Sequence, residues 1–593
     1  MRAEAATQEL RVLDFSRQTV VGVDPAQWRA AALAGRELLD KVITTEGAGA
    51  PLSWWFSSPA SRNPFVSPLF HRLRVYCYVR ADMAHGCALS GKTIIVDSKA
   101  LGRLLNSLYS NLDEDGAAPR VRVIRKSRLR ALVLPFFHAT NALIRMAILG
   151  FAYRRDESIQ QVDTVIDTFI LGGWSGEDRY YPGLWDRIPV DRAKCVRFVP
   201  EILARSPLEL LRIRRRLSAL SERFLLKERV LEFGDYVFAL RKALVVPSIR
   251  AREPALEVGV RDLVAEELRD RVGFDHTLRA WLNFRFFRKL SDRHVQIVRS
   301  VDWFENQTVD KGWNAGVAAA YPTAVTIGYQ AFSDVPDYFC MFPITAEFKA
   351  GVLPRKLALI GERYVHSRTK SCPEIEVFLA PAFRFAHVWT RRAGSLDDCR
   401  DVLVTMPIDR DLGTQLLSRI LEVDREFWDR RHLRVSVKAH PAGSIRNSEL
   451  ASLLDHRGLG VELVPFNDAI DRTRLLIGTM SSTCMEAAIK GIPVALFVTD
   501  TGDFSTIPSD FPRRRVANFR SGGELQAAVD KLLVASVTSG DSEEDEFAIL
   551  RRAYFVPVTD DAVTALVGNQ PSMHGEAVEQ DERRAKGKDI ETK

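Results

Sequence analysis

The sequence predicts an α/β protein built of two helix-flanked parallel sheets, and three observations carry that prediction. Short apolar runs rich in Val, Ile and Leu alternate with longer helical patterns along most of the chain, as strands joined by crossover helices do. At 593 residues the chain exceeds one ordinary core, and 46% hydrophobic with 27% charged residues is globular usage, so two or more packed domains are expected. A polar, proline-containing break, SRTKSCPE at 367–374, separates two sets of alternating elements.

Taken in order, residues 1–50 read as an N-terminal helical segment with an amphipathic pattern over 25–42 and a Gly/Ala break after it. The first sheet-forming domain is expected over 51–370. Strand-like runs fall at 52–56, 92–96, 121–124, 164–171, 195–199, 297–304, 324–329, 338–341 and 357–360. Two insertions interrupt it: a basic then apolar stretch at 120–153, and a charged helical stretch at 208–292 whose charges predict solvated helix faces. The second domain is expected over 371–567, with strands at 401–406 and 433–440, a helix at 413–423, and a strand–helix–strand unit from Leu475 onward. The acidic run at 539–546 reads as an exposed loop. The tail 568–593 is charged and nearly free of large apolar residues, which predicts disorder.

Seven cysteines without a CxxC pair argue against a disulfide framework and a zinc ribbon. The N-terminal stretch lacks an apolar core of signal-peptide length, so a cytoplasmic location is expected. The net charge of +7 is concentrated rather than spread: Arg120, Arg122, Arg125, Lys126, Arg128 and Arg130 stand together without an acid. The apolar segment that follows, to residue 153, is long enough for a bilayer span, but Pro135, His138, Asn141 and Arg145 make spanning expensive. It reads either as an interfacial helix on an anionic membrane surface or as a buried core helix. Nucleic-acid binding would need basic residues interleaved with exposed aromatics or a known module, and neither is evident, so no nucleic-acid partner is expected.

The most informative stretch is LLIGTMSSTCMEAAIKGIPVALFV at 475–498. An apolar strand ends at Gly478, hydroxyl residues follow at Thr479, Ser481, Ser482 and Thr483, and a helix opens at Cys484. Such a loop delivers hydroxyls and backbone N–H groups to a helix N-terminus, where the macrodipole favours negative charge. Upstream, LRVSVKAH ends in His440-Pro441. Pro441 stops the strand and leaves His440 at its carboxyl end, where ligands bind in open α/β sheets. The simpler reading of the hydroxyls is a helix cap, and of the histidine an ordinary turn residue.

His-Pro at one strand end, with Ser-Ser-Thr before a helix reading Glu-Ala-Ala-x-x-Gly-x-Pro-Val, resembles the donor half of GT-B glycosyltransferases. The pair is similar to that of bacterial surface-polysaccharide enzymes using CMP-activated sialic acid or Kdo, and of glycerophosphotransferases using CDP-glycerol. A second block at 302–332, DWFENQ…GYQAF, resembles one in surface-carbohydrate and O-antigen biosynthesis proteins. The resemblance implies two Rossmann-like domains, a nucleotide-sugar donor, a glycan or lipid-linked acceptor, and no further cofactor. It implies that His440, Pro441, Thr479, Ser481, Ser482 and Thr483 hold the donor phosphate, and that Glu486 meets the ribose.

The base that takes the acceptor proton should come from the facing domain. Glu305 follows the strand at 297–304, and Asn306 and Gln307 beside it are suited to orient an acceptor. Asp178 lies in the Gly-rich loop after the strand at 164–171, and Glu177-Asp178 resembles the acidic pair that serves as base in bacterial sialyltransferases, with Arg179 where that pair is followed by Gly. Either could instead be an ordinary loop carboxylate. Trp174, Tyr180 and Tyr181 share that loop and are candidates for sugar contact. No DxD lies between apolar strands and no HxxxH is present, so no metal is expected. Open alternatives are a sugar-nucleotide epimerase of the same fold, a CDP-glycerol-type glycerophosphotransferase and a non-catalytic glycan-assembly protein.

Overall fold

The computed structural model describes residues 12–568 apart from 18–19, 86–87, 111–117, 125–127, 151–156, 173, 175, 177, 205, 221, 250–257, 335–337, 391–395, 442, 480, 500–506, 508–510, 512–514 and 536–541. Its strands form three sheets, and every pairing is parallel. Parallel pairing forces crossover helices onto the sheet faces, which is why strands such as TRLLIG at Thr473–Gly478 are buried along their whole length rather than at alternate residues.

A small sheet holds β1 (Val12–Asp14), β2 (Thr93–Val96) and β3 (Arg120–Val123) in that order. With helices Pro25–Gly47, Leu69–Ala84 and Lys99–Tyr109 it has its own core around Trp28, Trp54 and Trp55. The runs at 92–96 and 121–124 are therefore strands, but of a separate sheet. The run at 52–56 is helix Leu52–Trp55: Pro51 at its N-terminus and burial of Trp54 and Trp55 outweigh the strand preference of the aromatics.

The first large sheet runs β5-β4-β6-β7-β8-β9, with β4 (Thr164–Leu171), β5 (Val196–Leu203), β6 (Arg299–Trp303), β7 (Val325–Gln330), β8 (Lys356–Leu359) and β9 (Glu376–Leu379). The expected strand at 338–341 is instead the 3-10 turn Phe339–Met341, packed over the carboxyl end of this sheet. Because β9 pairs with β8, the first domain runs past the expected boundary at 370/371.

The second large sheet runs β12-β11-β10-β13-β14-β15, with β10 (Asp401–Thr405), β11 (Arg434–Lys438), β12 (Gly460–Val461), β13 (Thr473–Gly478), β14 (Val494–Phe497) and β15 (Val516–Phe519). This is the 3-2-1-4-5-6 order of a doubly wound fold. The chain then crosses back. Helix Ser542–Tyr554 takes in the second half of the acidic run once expected to be a loop. Ala382 N–H donates to Val556 O at 2.9 Å, and Val563, Leu566 and Val567 join the core of the first domain. The C-terminal residues to 567 thus tie the two domains together rather than ending the second. The architecture is the α/β, two-domain GT-B arrangement implied by the motifs. The tail 569–593 and residues 125–127 of the basic run lie outside the described residues.

The charged insertion folds into helices Pro207–Ala219, Phe233–Leu244, Val258–Arg269 and Phe274–Asp292. The last is not a solvated helix: it packs closely on Thr308–Ala320, where a Cβ added at Gly312 would fall 2.2 Å from Ala280 O. Below this contact a fully buried Glu347 accepts from Arg62 Nη2 at 3.0 Å, Lys311 Nζ at 2.8 Å, Asn306 Nδ2 at 3.0 Å and Ile344 N–H at 3.0 Å. It joins the N-terminal unit to the first large sheet. Against burial, which alone would raise it, Arg62 and Lys311 hold its carboxyl down at about 2. Glu347→Ala strands two buried cations and should lower the unfolding free energy by about 3–5 kcal/mol in a denaturant titration. The Glu347 contribution in wild type is complete above the unfolded carboxyl value of 4.5 and is lost as pH falls toward 2.

Candidate functional site

The carboxyl ends of β10, β11 and β13 open on one cleft of about 620 Å³. In the doubly wound order, the strand sequence reverses between β10 and β13, and that switch point is where the crevice forms. Thr405 ends β10, and Thr483 Oγ1 donates to Thr405 Oγ1 at 3.2 Å across the switch point. The turn out of β13 needs Gly478, where a Cβ would lie 2.6 Å from Cys484 Sγ and 2.9 Å from Thr405 Oγ1. Ser481 caps helix Ser482–Ile489, its hydroxyl accepting from Thr483 N–H, so the helix start points its hydroxyls into the cleft. His440 and Pro441 follow β11 and line the same space, with Lys438 beside them.

The opposite wall comes from the first domain and the crossover between domains. Leu171, Gly172, Trp174, Asp178 and Arg179 follow β4; Arg384 and Phe385 belong to the turn Phe383–Trp389. Arg384 lies 5.8 Å from the centroid of the Trp303 ring, which fixes its direction. Among the described residues neither Arg179 nor Arg384 forms an ion pair. Loss of water lowers Arg179 from its usual range, and Arg384 lowers it further. Burial lowers His440 as well, followed by Arg179 and Arg384, which disfavours its imidazolium in the cleft. The cleft is thus set with cations facing a helix N-terminus, an arrangement that receives an oxyanion.

Asp178 carries a carboxylate at the cleft wall. Its Oδ1 accepts from Tyr180 N–H at 2.7 Å and Tyr181 N–H at 2.9 Å, while Thr168 Oγ1 donates to Oδ2 at 3.1 Å. Burial raises its carboxyl above the usual range despite those donors. Glu486, also at the cleft, is buried with its Oε2 3.0 Å from His387 Nε2.

The structure therefore brings His440, Pro441, Ser481, Ser482, Thr483, Glu486, Asp178 and Arg179 around one space. Thr479 stands behind it, buried, its carbonyl accepting from Ser481 N–H. The placement of Glu305, Asn306 and Gln307 differs from expectation. Glu305 does follow β6, but it accepts from Trp303 Nε1 at 3.1 Å and Tyr338 Oη at 2.7 Å and does not line the cleft. Asn306 is bound to Glu347, and Gln307 caps helix Thr308–Ala320 with Asp310. The turn carrying Tyr338 fills the crevice that β6 would otherwise open. Tyr181 is core, stacked at 5.2 Å on Tyr329, whereas Trp174 lines the cleft. Thr405, Lys438, Arg384 and His387 were missed. Thr405 was reachable, because it ends a recognised strand; Arg384 and His387 lie in a crossover without a pattern.

No family model and no curated protein matches the sequence. Solved structures of similar shape include UDP-GlcNAc 2-epimerase from Neisseria meningitidis bound to UDP-GlcNAc, at 11% identity over 68% of this chain and 98% of that one, with a TM-score of 0.39. The wall teichoic acid polymerase TagF is similar at 10% identity over 77% and 99%, with a TM-score of 0.36. MurG from Acinetobacter baumannii is similar at 10% over 68% and 99%, with a TM-score of 0.34. At these scores the likeness assigns no activity.

An anion arriving beside His440 should raise its pKa, since it favours the imidazolium. In NMR titrations, assigned by comparison with His440→Asn, the free protein should show His440 titrating below 6.5, and a saturating nucleotide should move it upward with proton uptake. An unmoved His440 in the presence of bound nucleotide places the phosphate elsewhere.

Proposed function

We propose that this protein is a metal-independent, inverting glycosyltransferase of the GT-B type. It moves a sugar from a nucleotide donor to a lipid-linked or growing surface glycan, and its motifs favour a CMP-activated ulosonic acid such as Kdo or a sialic acid as donor. The observation that carries the reading is the convergence of His440-Pro441 and the Ser481–Thr483 helix start on the switch point of a doubly wound sheet, across from Arg179 and Arg384.

The donor phosphate would lie against Ser481, Ser482 and Thr483, with His440, Arg179 and Arg384 offsetting charge as the nucleotide departs. Glu486, 3.0 Å from His387 Nε2, would meet the ribose. With Glu305 turned away, the base role passes to Asp178, whose carboxyl burial raises above the usual range and so makes a better proton acceptor. An epimerase would need only the first cleft, whereas a second cavity of about 570 Å³ adjoins it here.

We also assign the protein to the cytoplasmic face of an anionic membrane. Helix Arg128–Gly150 includes Ala131–Gly150, the one described segment long and apolar enough to cross a bilayer, with a mean hydropathy of 1.5 and only 11% of the window buried. It lies on the body through Pro135, Leu149 and its half-buried neighbours while Leu132 is 66%, Phe136 76% and Phe137 64% exposed. Helix Pro207–Ala219 packs alongside, exposing Leu208, Leu211, Arg212, Arg215 and Arg216. An apolar face edged by arginines fits the plane of an anionic interface.

Among CMP, CDP, UDP and GDP, at least one should raise the melting temperature, by an amount that grows with the logarithm of its concentration over its Kd. Replacing Ser482 and Thr483 together by Ala should weaken that nucleotide by about 1.5–3 kcal/mol per lost hydrogen bond; unchanged affinity sinks the donor assignment. Asp178→Asn should lower turnover by about 10²–10⁴-fold, while Glu305→Gln leaves it near wild type. Binding to phosphatidylglycerol vesicles should weaken with salt and fall at least about tenfold in Leu132→Asp/Phe136→Asp, because each buried side chain contributes about 1.5–3 kcal/mol. Equal binding by the double variant contradicts the membrane face.

A further inference from the structure

We infer that the second cavity is the receiving site for the acceptor, and that it takes a neutral, hydroxyl-rich sugar carried on an alkyl chain. The inference rests on the glycosyltransferase reading above and gives that reading a site for its second substrate. The cavity, of about 570 Å³, lies beneath helix Arg128–Gly150 and beside the carboxyl ends of β4 and β5. Leu171, Gly172, Arg179 and Pro441 line both it and the first cleft, so ligands in the two spaces meet at that shared wall.

Its floor is polar and prearranged. Glu201, buried at the end of β5, accepts from Lys227 Nζ at 2.7 Å and has Arg145 Nη2 at 3.5 Å and Arg279 Nη1 at 3.7 Å. Lys227 Nζ also donates to Asn283 Oδ1 at 2.8 Å, and Arg279 Nη2 pairs with Asp275 at 2.9 Å. Buried Glu228 leaves its Oε2 without a hydrogen-bond donor among the described residues. On the floor three carboxylates, Glu201, Glu228 and Asp275, thus answer three cations, Arg145, Lys227 and Arg279; the fourth cation of the lining, Arg179, stands on the wall shared with the first cleft. Such a floor offers alternating donors and acceptors to hydroxyl groups without the net charge that would select a phosphate.

The rim has the opposite chemistry. Phe137 both lines the cavity and faces solvent, and the exposed apolar face continues from it through Phe136 and Val133 to Leu132. A sugar seated on the polar floor would lead its chain out over this face, into the same leaflet that the helix meets.

The test uses decyl maltoside below its micelle-forming concentration, with maltose and decyldimethylamine oxide as the sugar and the chain alone. Calorimetry on the full chain should show saturable binding of decyl maltoside, at least about tenfold tighter than either control and insensitive to salt. Asn141→Trp and Asn141→Arg, at an exposed position on the cavity wall, should each weaken it at least about tenfold while nucleotide affinity and melting temperature stay near wild type. Equal affinity for the chain alone, or unchanged binding in both variants, overturns the inference. Nucleotide binding without glycoside binding refutes this site and leaves the donor reading intact; glycoside binding without any nucleotide binding does the reverse.

Discussion

Each candidate ligand contact in this protein depends on one geometric constraint: parallel strands joined by crossover helices must end along the same edge of their sheet. Because β10, β11 and β13 obey it, Thr405, His440 and the Ser481 helix start reach one edge from three distant parts of the chain. The first large sheet obeys it too, so Leu171 and the Asp178–Arg179 turn arrive at the same cleft from the other side. The sheets need only be held face to face. The returning C-terminal helices do that through backbone bonds at Ala382 and Ile360 and the stacked Phe385–Phe555 pair at 4.4 Å.

The electrostatics follow from that convergence. Burial first, then the Arg179 and Arg384 guanidiniums, hold His440 below its usual value, and Arg179 is lowered by the same crowding. A site of this kind is poised: an oxyanion relieves the repulsion between its cations and restores the charge of the imidazole. The neighbouring cavity is the reverse. The cations of its floor, Arg145, Lys227 and Arg279, are already answered by Glu201, Glu228 and Asp275, with Glu201 held down at about 2 against its burial, and only Arg179 on the shared wall is left for an anion. Two adjoining spaces thus differ in charge balance, one cationic and one paired at its floor.

Much of the fold was legible where local chemistry and tertiary fate agree. The run at 164–171 is β4 to the residue, since β-branched residues buried on both faces leave little choice. The helix start at Ser481 was legible because capping chemistry is local. Glu305 shows where the reading stops. Its place after β6 was foreseeable, but the turn carrying Tyr338, residues downstream, closes that strand end, and strand periodicity is silent about what covers it. The three-stranded sheet escaped notice because each of its strands is short and its partners are separated by dozens of residues. Arg384 escaped because a crossover's position is set by the packing of both domains, which no local pattern records.

A difference map from crystals of the full chain soaked with the nucleotide that stabilises it most would test the central claim directly. The account predicts phosphate density against Ser481, Ser482 and Thr483 with His440 within hydrogen-bond reach. Density for the phosphate in the cavity under helix Arg128–Gly150, or anywhere away from the β10–β13 switch point, would contradict it.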